Sequence, residues 1–266
     1  MDYNIRLTIA FDGTAYRGWQ RQKNAPTIQG IVEKKLAVLC GEQIHIHGAG
    51  RTDAGVHALA MVAHFHTTAI RPLSTFTMGL NSMLPHDIRI LEAHEMPSDF
   101  HSRYQALAKT YLYNFFTGDI MLPTRRLYEA HLPGPFDLAA CRKCLPFLIG
   151  SHDFASFEGS GSRDPLQKNG RGAIRTIFQA QCRPKTGQPD RWSFSITGDG
   201  FLRHMVRNLI GTLRQVGLGK ISSDDFATIL AARNRHHAGP TAPACGLFLE
   251  QIYYNKKDIP GLQDTP

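Results

Sequence analysis

The sequence predicts an α+β protein made of two ferredoxin-like βαββαβ units. Three observations point there. Apolar residues alternate with period two in some windows and recur at helical spacing in others, and these windows succeed each other in one order twice. The repeat begins again near residue 109, after a unit of ordinary domain size. With 266 residues and 42% hydrophobic content, the chain can bury a core in each unit. Two similar units imply pseudo-twofold symmetry with a cleft between them. The expected division is 1–108 and 109–256, with 257–266 as a short tail.

In the first unit, residues 3–11 read as a strand. Ile5, Leu7, Ile9 and Phe11 share one face, and Arg6, Thr8 and Ala10 the other. Residues 27–39 read as a helix through Ile28, Ile31, Val32, Leu36 and Leu39. Two strands follow, one through Ile44-His45-Ile46-His47 and one through Met61-Val62-Ala63-His64-Phe65-His66. A helix is expected over 72–84 and a closing strand over 88–93.

In the second unit, residues 110–116 form a strand and 137–145 a helix that Pro146 ends or kinks. Strands follow at 174–182 and 191–197. A long helix is expected at 202–216, a further one at 223–232, and a strand at 247–253. The segment 158–172 is rich in Gly, Ser and basic residues and reads as a long polar loop, either functional or a mobile insertion.

Charge points toward a polyanionic partner. Lys and Arg number 30 against 22 Asp and Glu, a net charge of +8, with 13 His in reserve. The isoelectric point is about 9.4. No run approaches the roughly 18 apolar residues of a membrane span, and the N-terminus lacks a basic segment followed by an apolar core. The five cysteines include a Cys141-x-x-Cys144 pair with no second pair to complete a zinc site. They read as reduced packing residues of a cytoplasmic protein.

The most informative stretch is Gly50-Arg51-Thr52-Asp53-Ala54-Gly55-Val56-His57-Ala58. It places one carboxylate in a tight connection between two strands, where a scaffold presents a reactive group. Asp and Gly are equally ordinary turn residues. In the helix at 202–216, Leu202, Met205, Val206, Leu209, Leu213 and Val216 form one apolar arc, and Arg203, Arg207 and Arg214 fall together at its edge. Such arginines bury their stems and free their guanidinium groups, or are plain surface charge. Tyr111 and Tyr113 alternate onto one sheet face. Trp19 and Gln20 lie among Arg17, Arg21 and Lys23, which suits a nucleic-acid surface, although Trp19 is as readily a packing residue.

The Asp53 stretch resembles the signature of TruA-type tRNA pseudouridine synthases. Further similarities occur in order: Phe11-Asp12-Gly13-Thr14 with Gly18-Trp19-Gln20, Lys109-Thr110-Tyr111-Leu112-Tyr113, His204-Met205-Val206-Arg207-Asn208, and Gly246-Leu247. The resemblance implies two halves whose sheets join around a central cleft. It implies an isomerase that acts on tRNA uridines at positions 38, 39 and 40 without cofactor or metal, working as a homodimer. Asp53 is then the catalytic carboxylate, Arg207 its cleft partner and Tyr111 the residue stacked on the target uracil. Arg51 helps hold the flipped nucleotide, Leu247 lines the pocket, and Arg203 contacts a phosphate or stands by. Phe11 departs from the family, where many members have Tyr, and the 158–172 loop looks long.

Two other functions fit parts of the pattern. One is a non-catalytic RNA-binding protein on the same double fold. The other is a metal hydrolase using His45, His47, Asp53, His57, His64 and His66, which strand alternation could cluster.

Overall fold

The structure is a computed structural model that describes residues 2–159 and 171–262. It is a mixed α+β protein with mostly antiparallel strands. Its contacts divide it into two compact units. One comprises Met1–Leu107 with Phe248–Tyr254, the other Ala108–Leu247 with Asn255–Pro266.

In the first unit, β1 (Tyr3–Phe11) is flanked antiparallel by β3 (His57–Thr67) and β4 (Ile88–Met96), and β2 (His47–Gly48) pairs the far edge of β3. The order β4-β1-β3-β2 is that of a ferredoxin-like sheet. At the same edge of β3, Phe248 and Leu249 of β10 (Leu247–Tyr253) pair parallel with His57 and Ala58. The alternation in β1 holds: Ile5, Leu7, Ile9 and Phe11 are buried. Helix α1 (Ile28–Cys40) begins where the Thr27 hydroxyl accepts from the Gly30 amide at 3.4 Å, and it ends at Gly41 with φ 74°. Its buried Ile28, Val32 and Leu36 are each worth about 1.5–3 kcal/mol of transfer from water.

Two elements of this unit differ from expectation. The strand through 44–47 shrinks to His47–Gly48, because side chains of α1 take the backbone groups of Ile46: its amide donates to Glu33 Oε1 and its carbonyl accepts from Gln29 Nε2, both at 3.1 Å. The helix expected over 72–84 begins as a π-helical turn, Thr75–Gly79, and becomes α2 only at Leu80–Met83. Thr75 and Thr77 are β-branched, and the Thr77 hydroxyl donates back to the Ser74 carbonyl at 3.1 Å, which loosens an α-helical ladder.

In the second unit, β5 (Ala108–Phe116) pairs antiparallel with β9 (Arg191–Gly198), which pairs with β8 (Ile174–Pro184), which pairs with β7 (Gly150–Asp153). The short β6 (Ala130–His131) lies parallel on β5. Asp137 caps α3 (Leu138–Cys144) by accepting from the Ala140 amide at 2.9 Å, and Pro146 falls in the 3-10 turn that follows. Helix α5 (Ser223–Ala232) opens on a reciprocal capping box of Ser222 and Asp225.

Helix α4 (Met205–Gly217) starts three residues later than expected, because His204 adopts a left-handed conformation with φ 61°. Its expected single apolar arc is also incomplete as a description. The arc residues are buried, but so are Asn208, Thr212 and Arg214 on other faces. Asn208 Nδ2 donates to the Phe157 carbonyl at 2.8 Å, and its Oδ1 accepts from the Thr241 hydroxyl at 2.6 Å. Arg214 donates to the carbonyls of Pro135, at 2.9 Å, and Pro133. The expected arginine stripe is therefore corrected: Arg203 precedes the helix and is exposed, Arg207 is half-buried, and Arg214 is a buried structural cation.

Of the polar segment 158–172, residues 160–170 lie outside the described residues. In the expected tail, Ile259 is buried and Gly261 packs against Phe178. Among the described residues no helix is long and apolar enough to cross a membrane.

Candidate active site

Asp53 lies in the first unit, on the connection between β2 and β3, and is half-buried. Hydrogen bonds fix the backbone around it. The Asp53 carbonyl accepts from the Val56 amide at 3.2 Å, closing a turn with Gly55 at φ 75°. The segment 12–20 grips this turn from outside. The Trp19 amide donates to the Thr52 carbonyl at 3.2 Å, and the Gly55 amide to the Tyr16 carbonyl at 3.4 Å.

Two glycines make the grip possible. A Cβ on Gly13 would lie 2.6 Å from the Val56 carbonyl carbon, and one on Gly18 would lie 3.0 Å from the Asp53 carbonyl carbon. Gly18 also sits at φ 89°, which side chains other than glycine's rarely adopt. These glycines belong to the Phe11-Asp12-Gly13-Thr14 and Gly18-Trp19-Gln20 stretches, whose approach to the Asp53 turn is visible only in the fold. Glycines at one short spacing from a strand end were the available signal.

His57 continues the same grip at the start of β3. Its ring is 1% exposed and stacks on Phe248 with centroids 4.6 Å apart. The Gly13 amide donates to its Nδ1 at 3.1 Å, so that nitrogen carries a lone pair in this arrangement. Asp12 Oδ1 lies 3.1 Å from the same nitrogen and accepts from the Thr14 hydroxyl at 2.6 Å and its amide at 2.9 Å.

The neighbours of Asp53 divide clearly. Arg51 is exposed. Trp19 is 2% exposed, with its ring against Gly48 and a centroid 6.2 Å from that of Phe11. It offers no face to a nucleic acid, so packing is the reading its burial fits. Gln20 is half-buried beside it.

In the second unit, Tyr111 is half-buried in β5 and meets Phe201 edge-to-face at 5.0 Å. Tyr113 is fully buried, donates to the Pro243 carbonyl at 2.8 Å, and has its hydroxyl pKa pushed well above the usual tyrosine value by burial. The two tyrosines expected on one face thus divide into a core residue and a partly accessible one.

Arg207, in the first turn of α4, is joined to Ala242 in both directions. Its Nε donates to the Ala242 carbonyl at 2.7 Å, and its own carbonyl accepts from the Ala242 amide at 3.1 Å. Those bonds fix the stem of the side chain and the plane of its guanidinium. Arg203 is exposed, and its carbonyl accepts from the Gly159 amide at 2.8 Å. Leu247 opens β10 and is buried, which fits a pocket wall and a core leucine alike.

His47, His64 and His101 lie close together, with ring centroids 4.6–5.8 Å apart. Among the described residues, however, no group of three or more His, Cys, Asp or Glu is arranged to hold a metal ion. The described cysteines are all free thiols, four of them buried.

Comparison with known proteins decides the family. A family model described as tRNA pseudouridine synthase matches residues 7–105 and 147–255, most of the chain and both units. The chain belongs to the tRNA pseudouridine synthase family. It is 51% identical over 251 residues to tRNA pseudouridine synthase A 1 of Desulfotalea psychrophila, covering 94% of this chain and 99% of that protein. It is 41% identical to tRNA pseudouridine synthase A of Acetivibrio thermocellus, covering 94% and 99%. The corresponding protein of Solidesulfovibrio magneticus is also 41% identical, covering 98% and 96%. Pseudouridine synthases are isomerases, and the matched ranges include Asp53 and Arg207, while Tyr111 falls between them.

Proposed function

We propose that this chain isomerises uridine to pseudouridine in the anticodon arm of tRNA, at positions 38, 39 and 40, with Asp53 as the reacting carboxylate. The observation that carries the reading is the Asp53 loop. A half-buried carboxylate stands on a turn whose backbone is gripped at Gly13 and Gly18, inside the stretch that resembles the family signature.

The chemistry is balanced without an oxidant or reductant. The bond between N1 and C1′ breaks, the base turns, a bond between C5 and C1′ forms, the C5 proton leaves and N1 gains one. A stacked base cannot be reached, so the nucleotide flips out, at a cost of a few kcal/mol. Attack on the base, attack on the sugar and glycal formation all use the same ionised carboxylate, which is regenerated at the end. In this proposal Arg207 orients the carboxylate, and Tyr111 holds the uracil ring. Arg51 helps hold the flipped nucleotide, Arg203 contacts a phosphate, and Leu247 walls the base pocket. A homodimer acting in the cytoplasm completes the proposal.

The deciding experiment is Asp53→Asn. Asn is as good a turn residue as Asp, so the variant folds and binds tRNA. It has no charged oxygen to attack carbon or accept a proton. Tritium release from 5-tritiated uridine in tRNA falls below detection while binding persists. Release at the wild-type rate, with deamidation excluded by mass spectrometry, would reduce Asp53 to a turn residue.

A further inference from the structure

The turn that follows β4 is built around an imidazole. His101 Nδ1 accepts from the backbone amides of Arg103, at 3.1 Å, and Tyr104, at 3.3 Å, while the His101 carbonyl accepts from the Gln105 amide at 3.1 Å. The same ring is packed edge-on against the buried His64, with centroids 4.6 Å apart. Burial, and then the neighbouring His47, hold the His101 pKa below the usual histidine value, so the ring is neutral at neutral pH. The imidazole is thus fixed on several sides.

Tyr104 stacks flat on this fixed ring, with centroids 4.1 Å apart and an interplanar angle of 28°. It is nevertheless 79% exposed. Ile70 and Ile120 are as exposed, at 80% and 84%, but they are aliphatic and present no planar face. Tyr104 combines a ring braced from behind with an outer face open to solvent. The exposed Arg103 precedes it in the same turn. A rigid aromatic face beside a guanidinium, on a protein of net charge +8, matches what single-stranded nucleic acid requires: stacking for a base and a cation for its phosphate.

We propose that the His101–Tyr104 stack is a platform on which an unpaired base of the tRNA substrate lies, with Arg103 facing that nucleotide's phosphate. The inference rests on the tRNA reading above and adds a contact outside the reacting residues. Because the platform is preformed, the base stacks without ordering the tyrosine first. The contact is sequence-tolerant, since every base has a π-face. It therefore contributes to affinity rather than to the chemical step.

The test uses the full chain and an unmodified tRNA transcript. Wild type, Tyr104→Leu and Tyr104→Phe are compared for KM, kcat, and Kd across a salt series. Tyr104→Leu raises KM and Kd about tenfold, near the low end of what one stacked base contributes. It leaves kcat unchanged. The slope of log Kd against log salt also stays the same, because tyrosine releases no counterion. Tyr104→Phe behaves as wild type. Unchanged KM and Kd in Tyr104→Leu would overturn the platform, as would a loss confined to kcat. A Phe variant as weak as Leu would do so too, by assigning the effect to the hydroxyl. Wild-type protein that neither binds nor modifies tRNA overturns the tRNA reading and the platform together, whereas an active wild type with an indifferent Leu variant overturns the platform alone.

Discussion

The loop of Asp53 and the first turn of α4 each hold a residue that the proposed reaction uses, and they do so by different means. Around Asp53, the first unit relies on atoms that are missing: two glycines let the segment 12–20 close onto the backbone of residues 52–56. Around Arg207, the second unit relies on directed bonds, with Ala242 paired to the arginine's side chain and its carbonyl. The first device places a short side chain by placing its Cα. The second suits a long side chain, whose several rotatable bonds would otherwise leave its head undirected. Reach sets the means: a carboxylate on one methylene is placed largely by its backbone, whereas a guanidinium needs its stem tied.

The largest effect is expected at Arg207. Arg207→Met keeps the length of the stem and removes both the charge and the Nε bond to Ala242. Turnover on tRNA falls by about a hundred- to a thousandfold, the scale of losing one directed electrostatic contact in a reacting site. Thermal stability changes little, because the position is only half-buried. Single-turnover rates beside melting curves check this, and near-normal turnover would leave Arg207 a merely structural residue.

Next in size is Gly18→Ala. The added methyl meets the Thr52 and Asp53 backbone, and alanine resists φ 89°. Stability drops by about 1–3 kcal/mol, as for overpacking elsewhere, and turnover drops by about a hundredfold because the carboxylate is displaced. Urea unfolding and single-turnover assays on one preparation separate the two effects. Loss of stability with intact turnover would show that the grip does not place Asp53.

The smallest effect concerns pH and the strand pair that carries the loop. His64 on β3 is opposite His47 of β2 and 2% exposed. Burial, and then His101, His47 and His66, lower its pKa to about 4. The unfolded chain therefore binds the proton more readily than the folded one. The stability held by neutral His64 is fully present above about pH 6.5 and is lost as pH falls toward 4. At pH 5 the loss is about 2 kcal/mol relative to pH 7.5. His64→Gln flattens this part of the profile, and denaturant midpoints at the two pH values measure it. Equal slopes in both proteins would move the cause elsewhere.

Much of this was legible in the sequence because local patterns answer to local physics. The alternation of Ile5, Leu7, Ile9 and Phe11 gave β1 to the residue, and the strand at 247–253 and helix at 223–232 fell where expected. What escaped depended on distant partners. Nothing near Ile46 says that Gln29 and Glu33 will occupy its backbone, and nothing near Arg214 says that two proline carbonyls will bury it. Trp19 read equally as a surface or a core residue until Gly48 appeared beside its ring. In the candidate site, Asp53 was visible as a motif, but the grip of Gly13 and Gly18 was not, since a glycine's purpose is written in the atoms that approach it.

That grip has a consequence for how the protein can vary. At most positions a harmful substitution has relatives that are milder, because side chains come in graded sizes. At Gly13 and Gly18 there is no gradation: every change adds at least a carbon where backbone already stands. Any residue other than glycine at these two positions requires the facing backbone segments to move apart. The turn that carries the carboxylate is thus specified by an empty volume, which any added side chain would fill.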